Sequence, residues 1–158
     1  MKKIFLLFIF VIGSSFCHSQ LNSLPKPEAH FSAIIVTNIE TSINWYATSF
    51  GFKVLNKVTS NERGFKQANL KCGTTLIELI ELKTSLSPTE LLKKHPKKTR
   101  IDGFFKFGFL VSEFEKWMIH LKQIKVDFHG TVVIDPISKK KMVLVKDPDG
   151  NRIQLFEK

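Results

Sequence analysis

Five residues, Val36-Thr37-Asn38-Ile39-Glu40, return 75 positions later as Val111-Ser112-Glu113-Phe114-Glu115. A chain that repeats itself at this distance folds as two like units, and each is too short to bury a sheet alone. In both copies a hydroxyl residue stands three positions before a glutamate, the pattern of a capping box at a helix start. The alternation around each copy predicts a strand over 30–36, a helix over 42–50 ended by Gly51, and strands over 52–58, 65–72 and 75–82. A linker over 85–100 carries one short helix around 88–94. The pattern then recurs: a strand over 104–111, a helix over 115–124, and strands near 126–133, 141–145 and 151–156. The expected fold is α+β, two βαβββ modules (about 28–82 and 103–157, joined by 83–102) whose mixed sheets pair around a shared cavity.

The last strand is entered through Asp147-Pro148-Asp149-Gly150-Asn151. Proline presets the turn, Asp147 bonds the backbone ahead of it, and Gly150 accepts a positive φ. Beyond the turn, Ile153 and Leu155 share one face, and Arg152, Gln154 and Phe156 share the other. A long polar residue between apolar neighbours marks that second face as the lining of a cavity.

The N-terminus reads as a secretory signal peptide over 1–19. Lys2-Lys3 precede an apolar run too short to span a bilayer, and small residues precede a cut before Gln20. Phe16 is too bulky for a lipoprotein cut at Cys17. The remainder, 20–158, is expected as a single exported domain, periplasmic or secreted, with no transmembrane segment. Cys72 is then the one cysteine left, so the core must hold without a disulfide. The formal charge of +10 falls to +8 once Lys2 and Lys3 are removed. Its densest runs, 93–100 and 139–141, flank prolines and read as solvated loops. No aromatic residues interleave with them, so no nucleic-acid partner is expected.

Taken together, Ala33 to Glu40, Trp45-Tyr46, Phe50-Gly51-Phe52, Thr74 to Leu79 and the Asp-Pro-Asp-Gly-Asn turn resemble the vicinal oxygen chelate superfamily. This is the glyoxalase/bleomycin-resistance/dioxygenase type, and the resemblance runs from His30 to Glu157. Metal-dependent members place four ligands towards the cavity, two per module. The resemblance puts those positions at Phe31, Glu78, Lys106 and Gln154, and the repeat relates Phe31 to Lys106 and Glu78 to Gln154. Phe31 has no donor atom, a protonated Lys106 repels a cation, and Gln154 is a weak neutral donor. Only Glu78 is an ordinary ligand, so no metal cofactor is expected, with a divalent ion through Glu78 as the alternative.

Three readings of this set stand open. Lys106 replaces the metal as a fixed cation, lying between the Glu78 carboxylate and the Gln154 amide oxygen. Alternatively, Glu78 and Lys106 form a structural ion pair in a pocket without a ligand. In the third, a register slip makes His30 a ligand in place of Phe31, against the alternation that turns His30 to the helix side. Phe31, Ile35, Leu76, Phe104, Gln154 and Phe156 are expected to line a pocket for a small apolar or aromatic anion. The alternative function is a glyoxalase-like or dioxygenase-like enzyme. A lyase or isomerase of glyoxalase type would use a metal at Glu78, or Glu78 as base and Lys106 as oxyanion stabiliser. An exported location argues against a glutathione adduct as substrate. A homodimer is compatible with the sequence, and a purely structural role through the basic loops is the remaining class.

Overall fold

A computed structural model describes residues 29–96, 99 and 103–158. The expected signal peptide lies outside the described residues. The first module runs β1 (Phe31–Ile35), α1 (Ile39–Phe50), β2 (Lys53–Ser60), β3 (Phe65–Cys72) and β4 (Thr75–Leu82). Its sheet is ordered β1-β4-β3-β2, with β1 parallel to β4 and the other pairs antiparallel. After a short helix α2 (Pro88–Leu91) and a 3₁₀ turn, the second module runs β5 (Phe107–Val111), α3 (Phe114–Gln123), β6 (Asp127–Phe128), β7 (Val133–Ile134), β8 (Lys141–Lys146) and β9 (Arg152–Glu157). Its order, β5-β9-β8-β6 with β5 parallel to β9, repeats that of the first sheet. The chain is thus an α+β fold of two βαβββ modules.

Two expectations are corrected. The strand expected near 126–133 is two short pieces, both paired to β8. Gly130 between them takes φ +91°, which turns the chain out of the ladder. Neither capping box forms: in the first, Asn38 rather than Thr37 is the cap and the Glu40 carboxylate pairs with Lys57. Glu113 enters α3 in the left-handed region with no side-chain cap, and its carboxylate pairs instead with Lys116.

The first helix starts three residues earlier than expected, because Asn38 caps it by accepting from the Thr41 N–H. The Ile39 N–H, one of the orphan donors of the first turn, donates to Glu81 of β4 at 2.8 Å. Glu81 also pairs with Lys66 at 2.7 Å. These two bonds hold the Glu81 carboxyl below its usual range, the Lys66 bond contributing most.

One face of each sheet packs into a common core. Ile34, Tyr46, Phe52 and Leu79 join Val111, Phe114, Leu121, Val143 and Leu155 in one buried cluster. Across the module boundary the Phe50 and Phe109 rings lie 5.1 Å apart, and Phe50 and Trp117 lie 5.9 Å apart. Among these helix residues Tyr46 is fully buried, while Trp45 and Trp117 are half-buried against the core. The His120 Nε2 sits 3.1 Å from the Thr48 carbonyl and 3.2 Å from that of Ser49, so this nitrogen carries a hydrogen and donates across the modules. The opposite sheet faces stay open, with Phe31 57% and Leu110 72% exposed.

The final turn ties the modules together. Asp147 is buried, and its carboxylate accepts from the Asp149 N–H, the Asn151 N–H, the Asn151 side-chain amide and the Tyr46 hydroxyl, the last at 3.0 Å. Burial pushes the Asp147 carboxyl upward and the bonds from Asn151 and Tyr46 oppose it. Burial and the neighbouring Asp147 push the Tyr46 phenol far up, so it remains a donor. From the same turn, Asp149 accepts from the Thr37 N–H at 2.9 Å and from the Ser42 hydroxyl at 3.4 Å.

Among the described residues no helix is long and apolar enough to cross a membrane.

Two stability measurements test this arrangement. Tyr46→Phe should cost about 1.5 kcal/mol and Asp147→Ala about 3 kcal/mol in denaturant unfolding, with a coupling of about 1 kcal/mol in the double variant. Additive losses would show that the bond between modules contributes nothing. Glu81 has a folded pKa below its unfolded value of 4.5, so its ionised form stabilises the fold above that pH and the contribution fades as pH falls below it. Glu81→Gln should therefore cost about 1 kcal/mol at neutral pH, and the gap from wild type should close as pH drops towards about 3. A gap independent of pH would refute this.

Candidate functional site

Between β1 and the segment leading into β5, a cleft of about 620 Å³ is lined by residues of both modules. The β1 wall contributes Ala33 and Ile35, whose side chains face away from the core because Ile34 and Val36 occupy it. Opposite stand Phe104 to Phe107, with the Phe104 and Phe107 rings stacked at 6.4 Å. The linker supplies a third wall through Leu86 and Leu92, and the final turn closes the end with Asp149 to Arg152.

Three charged side chains line this apolar space. Lys106 donates to the Oε1 of Gln154 and has no ion-pair partner among the described residues. The Arg152 guanidinium lies 4.6 Å from the centre of the Phe105 ring, in cation–π contact with it. Asp149 is the acidic residue among them, and it is occupied by Thr37 and Ser42. The cleft therefore presents apolar walls, two cations and one carboxylate that Thr37 and Ser42 engage.

Of the residues expected to line one pocket, Ile35, Phe104 and Lys106 do meet here. Phe31, Leu76 and Glu78 lie instead on the open face of the first sheet, in a second depression of about 280 Å³. His30 lines it too, its ring edge-on to Phe31 at 5.5 Å. Gln154 is only 3% exposed and lies beneath Lys106 rather than in the cleft wall. Its place opposite Gly108 requires that glycine, since a Cβ there would stand 2.8 Å from the Gln154 carbonyl oxygen. Phe156 is half-buried on β9, opposite Leu110 and Met142.

Glu78 and Lys106 form no ion pair within the chain. Glu78 accepts from the Gln67 amide on the neighbouring strand β3, and Lys106 turns to Gln154. The reason is geometric: the two residues project from the open faces of different sheets. Gln67 and Met142 escaped the sequence reading, because each needs the strand register to be placed. Met142 stands two residues along β8 from Leu144, the register partner of Gln154, and its Sδ accepts from the Gln154 Nε2 at 2.8 Å. The linker's Leu86 and Leu92 carried no signal beyond hydrophobicity.

The donor set does not fit a divalent metal. No group of three or more His, Cys, Asp or Glu side chains gathers among the described residues. At the positions the resemblance implies, Phe31 offers nothing, Lys106 is a cation, and the Gln154 oxygen is already bonded to it.

Comparison with known proteins places this geometry in a wider set. The family model described as "Glyoxalase/Bleomycin resistance protein/Dioxygenase superfamily" matches residues 29–155. The uncharacterised protein YaeR of Escherichia coli (strain K12) is 26% identical over 130 residues, covering 82% of this chain and 95% of that protein. The crystal structure of a glyoxalase family protein from Enterococcus faecalis superposes with a TM-score of 0.71 at 25% identity, covering 82% of this chain and 97% of that one. A trypanothione-dependent glyoxalase I of Leishmania major shares the fold with a TM-score of 0.62 at 21% identity, covering 83% and 87% of the two chains.

Metal content tests the donor argument. The protein purified without chelator should carry no stoichiometric metal, and calorimetry with Zn²⁺, Ni²⁺, Mn²⁺ and Fe²⁺ should find no site tighter than about 10 µM. One tightly bound ion per chain, lost in Glu78→Ala, would overturn it.

Proposed function

The chain belongs to the Glyoxalase/Bleomycin resistance protein/Dioxygenase superfamily, and from that premise we propose that it binds a small apolar or aromatic anion in the inter-module cleft without a divalent metal. The observation that carries this reading is the pairing of Lys106 and Arg152 with apolar walls in a space whose acidic residue is already bonded. A volume of about 620 Å³ suits a ligand of one or two rings. Phe104 and Phe107 supply contact area, and the two cations supply orientation.

Two chains pair in this reading. The open face of the first module exposes Phe31 and Ile35 around Glu78, and that of the second exposes Phe104 and Leu110 around Lys106. A two-fold pair covers exposed apolar residues of both faces at once. Glu78 and Lys106 do not meet within one chain, so the metal-free lyase or isomerase alternative finds no site there, whereas anion binding needs one chain. Lys2-Lys3 with the apolar run behind them support export to the periplasm or medium, and a mature protein starting at Gln20 by mass spectrometry is the check.

Calorimetry with 2-naphthoate tests binding. Wild type should bind it, and Lys106→Met should weaken it about tenfold. Equal affinity in the variant would remove Lys106 from the site. In sedimentation equilibrium, Leu110→Asp should convert a dimer to a folded monomer. A wild-type protein that is monomeric at high concentration would sink the pairing.

A further inference from the structure

Gln154 does something in this chain that neither its burial nor its strand position explains. Its side chain is nearly inaccessible, yet both ends of its amide are engaged. The Nε2 donates to the Met142 thioether at 2.8 Å, and the Oε1 accepts from the Lys106 ammonium. The chemistry fixes this orientation, because an ammonium can only donate and a thioether can only accept. A flipped amide would leave both bonds unmade in a buried place, at a cost well above that of an ordinary exposed bond.

The consequence concerns charge. Lys106 needs a partner to lie along the cleft floor, and a carboxylate would serve that purpose while cancelling the charge. A neutral amide oxygen orients the ammonium and leaves its full positive charge, with two remaining N–H groups, for a ligand. Asp149 makes no ion pair with it, its oxygens accepting from Thr37 and Ser42. Nor does Glu78 within the chain, since it is bonded to Gln67 on the other sheet.

We infer that Gln154 is a specificity-determining residue of the cleft: it holds Lys106 through a neutral oxygen and so keeps the cleft selective for anions. Met142 is the positioning residue that sets the direction of the Gln154 amide. Neither touches the ligand, and both act through Lys106. The inference rests on the reading of the cleft as a binding site.

The test compares two probes of the same shape, 2-naphthoate and its neutral amide 2-naphthamide, by calorimetry on the full mature chain. Wild type should prefer the anion by about tenfold, the magnitude of one well-oriented charge at a half-open site. Gln154→Glu should collapse that ratio to about twofold or less, because the new carboxylate neutralises Lys106. Met142→Leu keeps the volume but removes the acceptor, and should reduce the ratio to between those values. The ratio separates this role from a merely structural one, which would weaken both probes alike. Should Gln154→Glu fail to fold, the decision passes to Met142→Leu and to the Gln154 side-chain amide protons. These should exchange with solvent at least tenfold faster in that variant. A preference unchanged in Gln154→Glu, or in Met142→Leu with the amide equally protected, overturns the inference and leaves the cleft as a binding site. Failure of wild type to bind either probe overturns the cleft reading and this assignment with it.

Discussion

One buried carboxylate organises this molecule. Asp147 has room for four acceptor bonds and all four are filled, three by its own turn and one by Tyr46 from the other module. Removing an acid from water is costly, as the upward push on its carboxyl shows, and the full set of bonds makes the position tolerable. The same turn then does three further things. It starts β9, so it sets where Arg152 and Gln154 point. It closes one end of the cleft. Through Asp149 it reaches Thr37 and Ser42, which fastens α1 to the second module.

The cleft's electrostatics follow from what stands around Lys106. A divalent ion needs several anionic or imidazole donors converging on one point, whereas the cleft supplies one carboxylate, Asp149, already bonded to Thr37 and Ser42, and Glu78 lies on a different sheet face. A lysine needs less: one acceptor to orient it, and freedom from a carboxylate that would cancel it. Gln154 meets the first condition and the bonding of Asp149 and Glu78 meets the second. A site of this kind suits recognition of negative charge, and its apolar walls make that recognition stronger than it would be in open water.

Much of the fold was legible in the residues. The repeat announced two modules, and alternation put Ile153 and Leu155 together on the face opposite Gln154, where both lie in the core. Strands β3 and β4 have the bounds that the pattern of apolar residues and turn glycines gave them. The pattern failed where local signals competed. Around 126–134 the alternation continues through His129 and Gly130, but Gly130 breaks the ladder, and periodicity carries no information on φ. At Ser112-Glu113 the capping-box spelling is present, yet Glu113 enters the helix left-handed and its side chain goes to Lys116.

The site divides along the same line. By itself the sequence determined which residues leave the core, because strand alternation is a local property: Phe31, Glu78, Lys106, Gln154 and Arg152 all leave the face that the helices cover. It also determined that only Glu78 among the four positions the resemblance implies is an ordinary metal ligand, since donor atoms are written into residue type. Only the tertiary structure decided who meets whom. Glu78 faces Gln67 and Lys106 faces Gln154 because two sheets share a core on one side and leave their other faces apart. The distance between those faces depends on how the modules dock through Asp147, Tyr46 and the Phe50–Phe109 contact, which no single strand encodes.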